Sequence, residues 1–146
     1  MEIPLRRILE ILPHRPPFLL LDAVRVAEPG RRGTGRKRFS GLEPFFRNGR
    51  RPANPGGLLL EMMAQAAAVV AGTGAGGQPR PAGPGYLAGA RLEAAGAFGP
   101  GDLVEAEVVI VKAFGGLVRV EGEARSAGRA LARADLAVTL PGRGGR

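Results

Sequence analysis

From Leu58 to Ala71 the chain is apolar except for Glu61 and Gln65. Leucine, methionine and alanine dominate this run, and all three are strong helix formers. Asn54 stands where an N-cap side chain would accept from the open N–H groups of a first turn. Pro55 follows at the first helical position, where its missing N–H costs nothing. Val69, Val70 and Gly72 weaken the pattern, and Gly72-Thr73-Gly74 ends it. A helix that is apolar all round is buried all round. This one is short and alanine-rich for a membrane span, so a sheet is the expected wrapper. Glu61 and Gln65 lie four apart and share a face.

The rest of the chain alternates. Ile3, Ile8, Leu9, Ile11 and Leu12 predict a short amphipathic helix closed by Pro13. Phe18 to Ala27 reads as a buried strand, and Pro29-Gly30 as a turn. Thr34 to Ser40 reads as a charged strand near a sheet edge, where basic side chains discourage further pairing. Residues 72–85, rich in glycine and proline, form a loop. Four strands follow: Tyr86 to Glu93, Leu103 to Lys112, Leu117 to Arg125 and Ala130 to Leu140. Gly115-Gly116 predicts a hairpin turn between the middle two. Val118, Val120, Gly122 and Ala124 point in, and Arg119, Glu121, Glu123 and Arg125 point out. One long helix on an antiparallel sheet of about six strands is an α+β arrangement. At 146 residues it is a single domain, with its core over about 3–140 and residues 141–146 as a polar tail.

Composition narrows the chemistry. There is no cysteine and one histidine, His14, which removes thiolate chemistry and multi-histidine metal sites and makes a Ser-His-Asp triad unfavoured. No metal and no cofactor is read from the sequence. Absence of cysteine fits a cytoplasmic protein, and Met1 to Glu10 does not read as a signal segment. The net charge is +8, nearly all from arginine, since only Lys37 and Lys112 are lysine. Abundant Arg, Ala, Gly and Pro also follow from a GC-rich genome. The basic runs Arg31-Arg32, Arg36-Lys37-Arg38 and Arg47 to Arg51 suit an acidic protein or a phosphate group. With no interleaved aromatics and no helix-turn-helix pattern, nucleic acid ranks below these partners.

Glu61 by itself is open between two readings: a structural carboxylate bonded to backbone or Gln65, or a catalytic group with its pKa raised by burial. Three motifs, in order, then point to a family. Leu12-Pro13-His14-Arg15-Pro16-Pro17-Phe18-Leu19-Leu20-Leu21-Asp22 resembles the opening segment of the beta-hydroxyacyl-acyl-carrier-protein dehydratases. Phe45-Phe46, followed by Pro55-Gly56-Gly57-Leu58-Leu59-Leu60-Glu61-Met62-Met63-Ala64-Gln65-Ala66, is similar to the family's active-site loop and central helix. Pro100-Gly101-Asp102 and the strands after it match its C-terminal half. The resemblance implies a hotdog fold, a homodimer or higher homo-oligomer joined through Tyr86 to Glu93, and an acyl tunnel at that interface. It implies acyl carrier protein or coenzyme A thioesters as partners, and neither nucleic acid nor membrane.

The resemblance also implies site residues. Glu61 takes the place of the family's catalytic carboxylate, with Gln65 beside it on the face turned to the tunnel. Phe45, Phe46, Pro55, Gly56 and Gly57 fall in the substrate-binding segment. Arg47, Arg50 and Arg51 would meet the carrier or its phosphates, against the alternative of a solvated arginine run. The family's catalytic histidine, just after the Phe-Phe pair, has no counterpart: its position falls near Gly49 in Arg47-Asn48-Gly49-Arg50-Arg51-Pro52. His14 belongs to a different motif and reads as a structural histidine. Arginine cannot replace the base, because it stays protonated. The expectations are therefore a poor dehydratase, an acyl-thioester hydrolase using Glu61, or a non-catalytic acyl-binding or scaffold subunit of a heteromer.

Overall fold

The computed structural model describes residues 1–46, 51–73 and 86–139. Its elements run β1 (Glu2–Pro4), α1 (Leu5–Ile11), β2 (Ala23–Glu28), β3 (Arg32–Arg38), α2 (Pro55–Gly72), β4 (Tyr86–Ala94), β5 (Leu103–Phe114), β6 (Leu117–Ser126) and β7 (Arg129–Thr139). The strands form one seven-stranded sheet in the order β1-β2-β3-β5-β6-β7-β4, and every pair is antiparallel.

The sheet curls around α2, which packs against β2 to β7. By length and composition α2 could cross a membrane, but here strands cover it. Met62, Met63, Ala66, Val69 and Val70 are fully buried. Its start follows the sequence: Asn54 caps it, accepting from the Gly57 N–H at 3.0 Å, and Pro55 opens the first turn. Close approach of α2 to the sheet depends on two glycines of β3. A Cβ on Gly33 would lie 2.6 Å from Val70 Cγ2 and 2.8 Å from the Arg25 carbonyl; one on Gly35 would meet Leu21 and Ala66.

Three sequence expectations need correction. The first helix starts later than expected, because β1 occupies Glu2–Pro4 and completes the sheet of about six strands as seven; Ile3 is a core residue of a strand whose neighbours point out. Residues 18–22 do not pair as strand; β2 starts at Ala23, after the Pro16-Pro17 segment and a turn. The charged strand β3 is interior, bonded to β2 and β5. Arg36 is tolerated there because one sheet face is open to solvent, where it pairs with Glu2; Lys37, on the other face opposite the buried Val104, lies 3.7 Å from Asp22 and 5.5 Å from the centre of the Phe39 ring. Arg47, Arg50 and the tail 141–146 lie outside the described residues, as does most of the 72–85 loop.

The remaining turns are well specified. In Gly99-Pro100-Gly101-Asp102 the Asp102 N–H donates to the Gly99 carbonyl at 3.1 Å, with Gly101 at φ +85°. This is a type II turn with proline and glycine in their preferred places. The β6–β7 turn puts Ala127 at φ +50° and Gly128 at +77°. Both central residues are left-handed, as a type I′ hairpin turn requires.

Candidate active site

Glu61 lies in the second turn of α2, on a part of the helix that strands do not fully cover; its side chain is 42% exposed in the single chain. That differs from the burial expected of it, because Leu58, Leu60 and Ala64 around it are also only partly buried. Gln65, one turn on, is fully buried and uses its whole amide. Its Oε1 accepts from the Leu20 N–H at 2.8 Å. Its Nε2 donates to the Phe18 carbonyl at 2.8 Å and to Glu61 Oε1 at 3.0 Å. Gln65 therefore ties the segment after α1 to the helix and steers the carboxylate; it has no spare donor for a substrate.

That segment brings in His14. Helix α1 is anchored by Ile8 and Ile11 and stops at Leu12, whose N–H still reaches the Ile8 carbonyl at 2.8 Å. The chain then turns: the Arg15 carbonyl accepts from the Phe18 N–H at 2.8 Å. Leu19, Leu20 and Leu21 plunge into the core. The result places His14 Nε2 3.2 Å from Glu61 Oε1. This contact corrects the reading that left Glu61 with no histidine within reach. The imidazole is 27% exposed, while its Nδ1 is buried with no partner among the described residues. The Phe18 side chain stands 75% exposed on the same segment.

The first turn of α2 offers one open donor. Pro55 has no N–H, the Gly57 N–H goes to the Asn54 side chain, and the Leu58 N–H goes to the Asn54 carbonyl at 3.0 Å. The Gly56 N–H has no acceptor among the described residues. Gly56 is also where α2 meets β4, since a Cβ there would lie 2.8 Å from Leu92. A lone N–H at a helix N-terminus is suited to an oxygen that gains negative charge.

Phe46 is buried in a ring cluster with Phe39, Phe45 and Phe98, at centroid distances from 4.7 Å between Phe39 and Phe98 to 6.3 Å between Phe46 and Phe98. It is a core residue of the single chain, and Phe45 is half-buried against it. Pro52 closes the same region, with the Ala53 N–H on the Phe45 carbonyl. Arg51 is exposed. Glu43 holds the turn that leads into the rings. Burial opposes its ionisation, but hydrogen bonds from Ser40 and Gly41 and from its own N–H hold its carboxyl below the ordinary 4.5. No group of three or more possible metal ligands occurs among the described residues.

A long helix wrapped by one antiparallel sheet, with a polar pair on the helix, defines a hotdog protein. The fold recurs in solved structures. One is the dehydratase heterocomplex ApeI:P from Xenorhabdus doucetiae, with a TM-score of 0.73, 23% identity and coverage of 93% of this chain and 91% of that one. Another is a hypothetical thioesterase with coenzyme A from Streptococcus pneumoniae, with a TM-score of 0.57, 12% identity and coverage of 82% and 87%. Sequence narrows the class. The chain belongs to the ApeP-like family, described as ApeP dehydratase, which matches residues 6–144. It is 33% identical over 138 residues to the 3-hydroxyacyl-[acyl-carrier-protein] dehydratase FabZ of Syntrophotalea carbinolica, covering 93% of each chain. It is 37% identical over 142 residues to the FabZ of Thiobacillus denitrificans, covering 93% of this chain and 96% of that one.

Proposed function

We propose that this protein removes water from a 3-hydroxyacyl thioester carried on acyl carrier protein, with His14 as base and Glu61 as acid. The carrying observation is the 3.2 Å approach of Nε2 to Oε1. A base and an acid on one side of a substrate must stand within hydrogen-bond reach of a common space.

In the reactive state Nδ1 carries a proton, Nε2 is free and Glu61 is protonated. Nε2 takes the proton from C2 as the C3–O bond breaks, and Glu61 gives its proton to the leaving hydroxyl, which departs as water. The electron pair of the C–H bond becomes the C2–C3 double bond. The negative charge that gathers on the thioester oxygen along the way meets the Gly56 N–H. The pair is left as imidazolium and carboxylate, one proton transfer from the starting state, and the short Nε2–Oε1 separation lets that transfer run directly. Gln65 keeps Glu61 turned toward His14 throughout.

Strand β4 ends the sheet and is exposed along nearly all its length, and unpaired edges invite pairing. We place a second copy there, in a cytoplasmic homodimer. Pairing with a homologous chain is the alternative, supported by the heteromeric assembly named for the Xenorhabdus relative.

The test follows crotonyl and 3-hydroxybutyryl thioesters for hydration, dehydration and hydrolysis. His14→Ala and Glu61→Gln should each lower dehydration by about 10²–10⁴-fold. Dehydration that survives both substitutions would overturn the reading. Hydrolysis lost in Glu61→Gln, with no dehydration in the wild type, would make the protein a thioesterase. Activity that appears only on adding a homologous chain would make it a subunit of a heteromer, and a monomer in sedimentation at micromolar concentration would reject the homodimer.

A further inference from the structure

The His14 ring is poorly held by its own atoms. A histidine in such a pair is ordinarily oriented by the hydrogen bond its second nitrogen makes. Here Nδ1 has no partner among the described residues, so the ring's one polar contact is Glu61 itself. Its place must come from the backbone.

We infer that Arg15 is the positioning residue for His14; the inference rests on the acid–base reading of the pair. The Arg15 guanidinium spans three carbonyls. Nη1 donates to Leu12 O at 2.9 Å and to His14 O at 2.7 Å, and Nη2 donates to Leu9 O at 3.0 Å. Leu9 lies in the last turn of α1 and Leu12 caps it. Helix ends leave such carbonyls open, and a cation there is favoured by the helix dipole. Arg15 makes no ion pair among the described residues, and three of its five N–H donors go to these oxygens. The planar fork fixes the His14 carbonyl relative to two points of α1, and α1 is fixed by Ile8 and Ile11 in the core. Downstream, the Arg15 carbonyl holds Phe18 and Leu19, and Gln65 holds Phe18 and Leu20. His14 thus sits between two clamps, the guanidinium before it and the glutamine after it. A lysine carries its donors on one nitrogen and cannot span the same three oxygens.

Because the chain has a single histidine, its imidazole nitrogens can be observed without ambiguity. The experiment compares the ¹⁵N ring shifts of the full chain, free of any histidine tag, in wild type, Glu61→Gln, Arg15→Ala, Arg15→Lys and the two Arg15 variants combined with Glu61→Gln. Glu61→Gln should move the ring resonances in the wild-type background. That movement should fall by half or more in both Arg15 backgrounds. Dehydration should lose about 10- to 100-fold in kcat with KM little changed, the loss expected from a misplaced catalytic group. An undiminished response to Glu61→Gln in both Arg15 backgrounds, with unchanged kcat, would overturn the inference. If His14→Ala leaves dehydration intact while the Arg15 variants still uncouple ring from carboxylate, the acid–base reading fails and the positioning role stands.

Discussion

Replacing Gln65 by leucine tests the link between α2 and the segment that carries His14. The two side chains are close in volume, so the cavity left behind is small. What changes is polar. The Leu20 N–H and the Phe18 carbonyl lose their partner, and the first of these bonds is buried. A buried group left without a partner costs about 1–3 kcal/mol. The Phe18 carbonyl is only part-buried, so water recovers some of its share; the pair together costs about 3 kcal/mol. Leucine returns about 1 kcal/mol through extra apolar burial. The net loss is then about 2 kcal/mol, a sizeable part of the roughly 5–15 kcal/mol that holds a domain together. Urea unfolding reads it directly: with a slope of about 2 kcal/mol per molar, the midpoint should fall by about 1 M at unchanged slope. Gln65→Glu should cost at least as much at neutral pH. It keeps the acceptor for Leu20 but turns a carboxylate toward the Phe18 carbonyl and Glu61. A midpoint shift below about 0.3 M in Gln65→Leu would show that water satisfies both backbone groups, and that Gln65 does not clamp the segment.

Two further stability predictions stand on single turns. Ala127 holds a left-handed conformation at φ +50°, which costs an alanine about 1 kcal/mol; Ala127→Asn should raise the thermal midpoint by a few degrees, and no gain in calorimetry would refute the strain. Glu43 ionises more readily folded than unfolded, so its contribution is present above its ordinary value of 4.5 and is lost as pH falls through the lower folded value. Glu43→Gln should therefore lower stability at neutral pH and flatten its decline on acidification, as measured by unfolding at a series of pH values. An unchanged decline would remove Glu43 as its source.

Most of the fold was legible because its signals are local. Asn54-Pro55 before an apolar run marks the start of α2, and Gly115-Gly116 and Pro100-Gly101 mark turns that the backbone adopts. The misread parts are those where context outweighs local pattern. Arg32–Arg38 has the composition of an edge strand, yet β5 supplies Glu105 opposite Arg36 and Glu107 opposite Thr34 across the open face. A charged strand becomes interior when its neighbour carries the complementary charge on the same side. Glu2–Pro4 is too short for periodicity to separate strand from helix, and β2 supplies the pairing that decides it.

The site was half legible for a related reason. Glu61 and Gln65 stand out as the polar residues of a buried helix, and Gln65 is bonded to Glu61 as their spacing suggests. His14 stands 47 residues before Glu61 in the chain, and no periodicity connects them. A signal was nonetheless present. His14 sits between Pro13 and Arg15-Pro16-Pro17, a stretch that can form neither helix nor central strand, just before Phe18 and Leu20, whose backbone bonds to Gln65. A lone histidine in a rigid segment docked on the one helix with a carboxylate is a candidate partner for that carboxylate. Reading each motif by its place in a family order hid this, because the expected base belonged to another loop. The proposed chemistry needs a nitrogen within reach of the carboxylate, and in that proposal a different sequence position delivers it.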